Sequence, residues 1–354
     1  RADILRALKW TADHAEEYNI GVVSMSVYDD EPTGPGENPV DRAVDEVVEK
    51  GIVVVAAVGN NPESAILPPA SSAAAITVGG VDDRNEVWKE YRRMFHSTHG
   101  TTREGHAKPE LIAPAIWIAG PMLPETVQFR EAALLFRLLK ATPRRADLLL
   151  ERYRAEVGSA PRNLARRDYK AWARARIAER KYVAPGYKHV DGTSFSAPIV
   201  SSVVAQMLEV DPTLSPSEVK TILMETAEPL RNVPAEHQGR GVLNPRAAVL
   251  RTLARRDEGL SPGVHTRDGQ LLFIYHNRVP RTVALAGTFN NWDAHSLRLY
   301  ESRDGWWSVR LPKPAPGIYQ YKFVIDDAVW LEDPANTDRV PDGFGGWNSK
   351  LVVQ

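Results

Sequence analysis

The chain has 354 residues, long enough for two domains and a substantial core, with 25% of residues charged, 43% hydrophobic and a formal net charge of −1. That near-neutral balance gives no global reason to expect nucleic acid or an anionic membrane as partner. There is no cysteine, which excludes disulfides, thiolate metal sites and a cysteine nucleophile, and no apolar run reaches the length of about eighteen residues that a membrane span needs.

Apolar positions at helical spacing (Ile4, Leu5, Leu8, Ala12, Ala15) predict a helix over Ala2–Tyr18, directly behind an opening Arg1. An Arg in first place, with no basic, apolar and small-residue leader after it, suggests a chain cut from something longer. A short apolar run, Ile20–Val27, is bounded by the polar cluster Asp29–Asn38, and a second helical pattern runs from about Pro39 to Lys50. Gly51-Ile52-Val53-Val54-Val55-Ala56-Ala57-Val58-Gly59 is continuously apolar and rich in β-branched residues, as in a strand buried on both faces, and Ala74–Val81 reads the same way. Helices alternating with such strands give an α/β class, a parallel sheet with helices on both faces.

From about Glu125 to Tyr182 the texture shifts to Ala, Leu and Arg, with 15 Lys/Arg against 7 acids. Breaks near Pro143 and around Gly158–Pro161 divide this insertion into two or three helices. An amphipathic insertion with a solvated basic face is the plain reading; a lid, a partner-docking arm or a polyanion patch are its rivals. Next come Val190-Asp191-Gly192-Thr193-Ser194-Phe195-Ser196-Ala197-Pro198 and a long apolar helix to about Glu209. Another helix starts at Ser215-Pro216-Ser217-Glu218, where Ser215 can cap, Pro216 fits the first turn and Glu218 can close a capping box. Arg255–Val264 reads as a linker. Beyond it, Thr282–Ala286, Trp306–Leu311, Tyr319–Ile325 and Lys350–Val353 are short strands between Asn-Asn, Asp-Gly, Pro-Gly and Asp-Asp turns, which fits one β-sandwich. The division is thus 1–254, a linker at 255–264, and 265–354.

A serine hydroxyl becomes a useful nucleophile when it is presented at a helix N-terminus or beside a base. Gly192 lets the backbone bend, and Ser194 opens a small-residue helix whose first amides face a developing negative charge. This Gly-Thr-Ser-x-Ser-Ala-Pro string resembles the nucleophile motif of the subtilases, the subtilisin-like serine proteases. Upstream, the strand ending Val58-Gly59-Asn60 resembles the family's oxyanion strand, which implies that the Asn60 amide donates to the tetrahedral intermediate. Val23-Ser24-Met25-Ser26 resembles the strand that pairs with substrate backbone and lines the first specificity pocket, and the resemblance implies a substrate-binding role for Ser24, Ser26, Ala57 and Gly59. Lys108-Pro109-Glu110-Leu111-Ile112-Ala113-Pro114 and Gly239-Arg240-Gly241-Val242-Leu243-Asn244 resemble two further family segments, so five ordered motifs cover roughly residues 1–252 apart from the basic insertion.

The family triad runs Asp, His, Ser, and both the Asp-x-Gly strand and the His-Gly-Thr-x-Val-Ala helix belong ahead of residue 1. His99-Gly100-Thr101 is a loop look-alike after the second strand, and His189, five residues upstream on an extended segment, is poorly placed to face Ser194. The chain by itself is therefore expected to have little or no turnover. Tyr28-Asp29-Asp30 stands where relatives carry Gly-Gly, so a tyrosine is expected to narrow or cover the pocket rim.

Over residues 265–354, Gly287-Thr288-Phe289-Asn290-Asn291-Trp292, Tyr319-Gln320-Tyr321-Lys322-Phe323, Trp330-Leu331-Glu332-Asp333-Pro334 and Gly345-Gly346-Trp347-Asn348-Ser349 together resemble carbohydrate-binding module family 48, the glycogen-binding type with an immunoglobulin-like sandwich. Sugar rings stack on exposed indoles, and their hydroxyls need amide and ammonium partners. By position, Trp292 and Trp330 are the implied platforms, with Lys322 and Asn348 supplying hydrogen bonds; the rival is a sandwich that only braces the neighbouring domain. Trp306 and Trp307 read equally well as core.

These resemblances imply a serine endopeptidase acting on polypeptide and tethered to an α-glucan or glycan. The contrasting reading is a non-catalytic glucan-binding scaffold on a degenerate protease fold. Family likeness further implies an extracellular or cell-surface place and leaves room for a structural calcium, for which the sequence displays no site.

Overall fold

The structure, a computed structural model, describes residues 1–31, 38–86, 88–158, 168–257, 259–267, 269–303 and 305–354. The polar cluster after Asp29 and the break beyond Gly158 fall partly outside these residues.

The chain divides into two compact units, residues 1–209 with 213–244 and residues 210–212 with 245–354. In the first, helix α1 (Ala2–Tyr18) leads to strand β1 (Val22–Met25), and α2 (Pro39–Glu49) leads to β2 (Val53–Ala57) and β3 (Ile76–Asp82). Asn38 starts α2 by accepting the Val40 N–H at 2.8 Å. Val40, Val44 and Val47 recur at helical spacing and are buried with Leu8, Val54 and Ala56 in one core. β1, β2 and β3 pair in parallel, with Val22 opposite Val53 and Val55 opposite Ile76. A short β4 (Arg93–Met94) is antiparallel to β3, β5 (Gly100–Thr101) pairs with β6 (Ala107–Lys108), and β7 (Leu111–Pro114) extends the sheet parallel to β3. The continuous apolar run thus becomes the buried strand expected of a parallel sheet.

After β7 the chain leaves through β8 (Ile118–Pro121), forms α3 (Val127–Lys140), α4 (Pro143–Val157), α5 (Tyr169–Glu179) and β9 (Tyr182–Ala184), and returns along β10 (Tyr187–Val190). β8 and β10 are antiparallel, Ile118 opposite Val190 and Pro121 opposite Tyr187. The insertion packs a hydrophobic core of its own from residues such as Leu135, Leu138, Leu150 and Tyr169. At its centre Glu131, only 3% exposed, accepts bonds from Tyr182 Oη at 2.6 Å, Arg176 Nε at 2.8 Å and Tyr153 Oη. Burial alone would raise its pKa, but those donors outweigh it and hold the carboxyl below its usual value.

Strand β10 runs into α6 (Thr193–Val210), followed by α7 (Pro216–Thr226), α8 (Ala235–Gln238) and α9 (Pro245–Arg256). The capping box foreseen at α7 is present: Ser215 N–H donates to Glu218 Oε2 at 2.9 Å, and Glu218 N–H donates to Ser215 Oγ at 3.3 Å. Helix α9 groups with the second unit. Its Arg255 pairs with Asp211 of that unit at 2.7 Å, and Asp257 just beyond it pairs with Arg310 at 2.7 Å. Helical continuation to Arg256 therefore occupies the start of the segment that composition marks as linker.

The rest of the second unit is all-β. One sheet orders β11 (Gly263–Arg267), β12 (Gln270–His276), then β15 (Trp306–Pro312) and β14 (Tyr300–Arg303). The other orders β13 (Val283–Gly287), β16 (Gly317–Ile325), β19 (Trp347–Val353) and β18 (Arg339–Pro341), with β17 (Val329–Leu331) also on β16. Leu271, Phe273 and Tyr275 alternate along β12 to meet Leu285, Tyr321 and Phe323 in a shared core, the period-two pattern of a sandwich. Trp307 is part of that core, whereas Trp306 lies against His276 at 4.6 Å between ring centroids.

Candidate active site

Ser194 stands in the first turn of α6, half-buried, one residue after the helix begins. Gly192 holds φ +134°, a region that side chains rarely adopt, and its N–H donates to Ala115 O at 2.6 Å. Ser196 Oγ donates to Ala113 O at 3.1 Å and to Pro114 O at 3.0 Å, which ties the start of α6 to the end of β7. The nucleophile candidate therefore sits on a helix start clamped to the sheet.

Asn60 follows β2, across from the same helix start. Its Oδ1 accepts the Thr193 N–H at 2.8 Å and the Thr193 hydroxyl at 3.0 Å, and Thr193 Oγ1 itself accepts the Gly59 N–H at 3.2 Å. Because a backbone N–H can only donate, these bonds fix which end of the Asn60 amide is oxygen and leave Nδ2 as the outward donor. Thr193 N–H is taken by Asn60 and Phe195 N–H by Gly192 O at 3.0 Å, so Ser194 N–H is the first-turn amide available to a developing anion.

Ser26 donates from Oγ to Ser194 O at 2.9 Å. Ser26, Ala57, Gly59, Asn60 and Ser194 line one cavity of about 440 Å³, together with Tyr28 and Asp30. Ser24 is exposed on β1, paired in register with Val55, and does not line it. Tyr28 is 65% exposed at this cavity, where a rim residue was expected.

Neither histidine near the motif contacts Ser194 in the described structure. His189 Nδ1 meets Trp117 O at 2.7 Å, and its ring is edge-on to Trp117. His99 lies against His237 at 3.8 Å between centroids with the rings tilted by 41°, and its Nδ1 meets Ser97 O at 3.1 Å. Beside the nucleophile turn, Asp191 accepts from Lys181 Nζ at 2.8 Å and from Trp117 N–H at 3.2 Å. Burial pushes the Asp191 carboxyl up, but these two donors prevail and keep it below its usual value. Among the described residues no group of three or more His, Asp or Glu is placed to hold a metal ion, and no helix is long and apolar enough to cross a membrane.

In the sandwich, all four residues singled out for sugar contact line one cavity of about 530 Å³. Trp292 and Trp330 have ring centroids 6.3 Å apart and planes tilted by 44°, so they form a bent rather than flat platform. Trp292 is set by a left-handed backbone, φ +59°, with its N–H on Gly287 O at 2.8 Å. Lys322 Nζ already pairs with Asp342 at 2.7 Å, and Asn348 Nδ2 donates to Gln320 Oε1 at 2.9 Å. Each keeps further donors for a ligand hydroxyl. The Asp342 carboxyl is held down to about 2 by Lys322 and by the N–H groups of Phe344 and Gly346. Those bonds shape a turn that leaves Phe344 97% exposed over the same cavity. Phe344 escaped the sequence reading because an aromatic between glycines carries no periodic signal.

The model of the subtilase family matches residues 2–243, and that of carbohydrate-binding module 48 (isoamylase N-terminal domain) matches residues 261–337. Serine protease AprX of Bacillus subtilis (strain 168) is 27% identical over 260 residues, which cover 70% of this chain and 48% of that protein. The chain thus spans about half the length of this curated relative. Among solved structures, the prenylagaramide maturation protease PagA is 19% identical with a TM-score of 0.43, over 70% of this chain and 66% of that one. Fervidolysin from Fervidobacterium pennivorans, a keratinolytic enzyme related to subtilisin, is 17% identical with a TM-score of 0.42, over 90% of this chain and 38% of that one.

Proposed function

We propose, from the premise that this chain belongs to the subtilase family, that it carries the nucleophile and oxyanion donors of a serine endopeptidase. The observation that supports this most is the double anchoring of Asn60 Oδ1 on Thr193, which ties an outward amide donor to the helix start that bears Ser194. Ser194 Oγ attacks the scissile carbonyl carbon as its proton passes to a base. The carbonyl oxygen becomes an anion held by Asn60 Nδ2 and the Ser194 N–H, and collapse, with the base passing that proton to the leaving nitrogen, expels the amine to leave an acyl-enzyme. The base and its orienting carboxylate are assigned to parts of the full-length protein outside this chain, since no described histidine contacts Ser194. Ser24, on β1, and Ser26, just beyond its end, are read as part of the segment that takes the substrate backbone. The same reading places the protein outside the cytoplasm or at the cell surface.

A fluorophosphonate probe tests this directly, because it labels only a serine activated by a base. The full-length protein is expected to be labelled on Ser194, and this chain alone is expected to stay unlabelled. A full-length protein that takes no label while a control serine hydrolase does so would favour a non-catalytic scaffold instead.

The sandwich is read as an α-glucan module, supported by the shared cavity of Trp292, Lys322, Trp330 and Asn348. Trp330→Ala is expected to weaken maltoheptaose binding about tenfold, the loss of one stacking face. Calorimetric titration of both proteins checks it: no heat from either leaves the sandwich as a brace.

A further inference from the structure

Two cavities adjoin beside Ser194, one of about 440 Å³ that includes Ser194 and Asn60, the other of about 270 Å³, and Asp30, Ala65 and Leu67 line both. In the first, Val27, Ala57 and Val58 add apolar wall, and Asp30 is the one charged side chain among its described lining residues. Asp30 is exposed to whatever enters. In the second, Asp41 and Glu104 add carboxylates against Arg103, while Asp29 and Glu31 are taken by Arg1 at 2.9 and 3.3 Å.

Asp41 adds an independent sign of an expected ligand. It is 6% exposed, its Oδ2 accepts from Ser71 Oγ at 2.6 Å, and its Oδ1 has no hydrogen-bond partner. Burial, and then the nearby Glu104 charge, push its pKa up to about 6. A cation brought alongside would stabilise the charged form, whereas an apolar occupant would leave the orphan oxygen buried.

We propose that the cleft beside Ser194 selects a peptide bearing lysine or arginine, whose apolar stem lies along Ala65 and Leu67 and whose cation is received by Asp30. This deepens the peptidase reading and rests on it for where the scissile bond lies. Long basic side chains bury their methylenes and keep the charged head on a counter-ion, which matches an apolar wall ending in a carboxylate. Leucine or phenylalanine would fill the wall but desolvate Asp30 without compensation, and glutamate would meet charges of its own sign.

The test uses the full-length protein carrying Ser194→Ala, so that nothing is cleaved, and fluorescent peptides Ala-Ala-Pro-Xaa with Xaa as Arg, Lys, Leu or Glu. By fluorescence polarisation Arg and Lys are expected to bind about five- to fiftyfold tighter than Leu, with Glu weakest. Asp30→Asn should bring Arg to within about twofold of Leu, and Asp30→Lys should make Glu the better ligand. Arg binding no tighter than Leu, or a preference that survives Asp30→Asn, overturns the proposal. Turnover of the matching p-nitroanilides by the unaltered full-length protein separates the two readings. Turnover without basic preference sinks this inference alone, and basic-selective binding without turnover sinks the peptidase reading alone.

Discussion

Ser194→Ala in the full-length protein is expected to lower peptidase turnover by on the order of 10⁶-fold while leaving the melting temperature unchanged. The two halves of that expectation have separate causes. In the proposed reaction the hydroxyl oxygen is the reacting atom, whereas the local fold hangs on its neighbours: Thr193 on Asn60, Ser196 on the end of β7, and the Ser194 carbonyl on Ser26. Asn60 behaves differently because one side chain has two duties. Asn60→Ala should cost about 10²–10³ in turnover from the lost donor and about 1 kcal/mol of stability from the lost acceptor for Thr193. Asn60→Asp keeps the acceptor and loses the donor, so turnover should fall with little change in melting. Peptide hydrolysis and thermal denaturation on the same preparations check all three variants. An Asn60→Asp protein as active as the parent would remove Asn60 from the oxyanion site.

Gly241→Ala is expected to destabilise the first unit by about 3–6 kcal/mol, the sum of left-handed strain and backbone overlap. Gly241 has φ +114°, and an added Cβ would lie 2.4 Å from the Glu228 carbonyl carbon and oxygen. The pressure comes from pairing that cannot relax, since Glu228 and Val242 exchange both N–H···O bonds at 2.8 Å and Gly241 O accepts the Ile112 N–H at 2.9 Å. Gly239 is held as closely, its would-be Cβ 2.3 Å from the carbonyl oxygens of Pro109 and Glu110. Between them Arg240 is exposed, so Arg240→Ala should change stability by less than about 0.5 kcal/mol. Urea denaturation of the three proteins decides it. A Gly241→Ala midpoint near that of the parent would mean the two segments are not so tightly apposed.

The motif Gly-x-Gly-x-x-Asn was legible in the sequence because backbone contact of this kind tolerates only glycine, which leaves an imprint in residue identity. The turn at Ser194 was legible for a related reason: Gly192 holds φ +134°, and Thr193 and Asn60 are bonded to each other across it. Strands β2 and β3 announced themselves through unbroken β-branched runs. Other features leave no local trace. Asp30 looks like any loop carboxylate until Ala65 and Leu67, more than thirty positions away, fold beside it. Glu131 reads as one acid on a basic helix, yet Tyr153, Arg176 and Tyr182 converge on it from three later elements. Lys322 reads as a free ammonium, and only the turn at Asp342 shows it already has a partner. Likewise α9 carries no mark of which unit it joins, because that is settled by Asp211 and Arg310 at distant positions. Identity-restricted backbone contacts survive in one dimension; pairings between ordinary charged residues do not.

The antiparallel pairing of β8 with β10 has a consequence for how this protein can change over generations. The helices between them enter and leave through a zipped neck, Ile118 against Val190 at its base, so the two ends stay fixed whatever lies beyond. Closing a longer excursion on such a neck costs only about 0.6 kcal/mol per doubling of its length. The segment from α3 to β9 is then an exchangeable cassette, free to lengthen, shrink or be replaced. The neck cannot share that freedom, since a one-residue slip in it would shift Asp191 and Gly192 and with them the turn that carries Ser194.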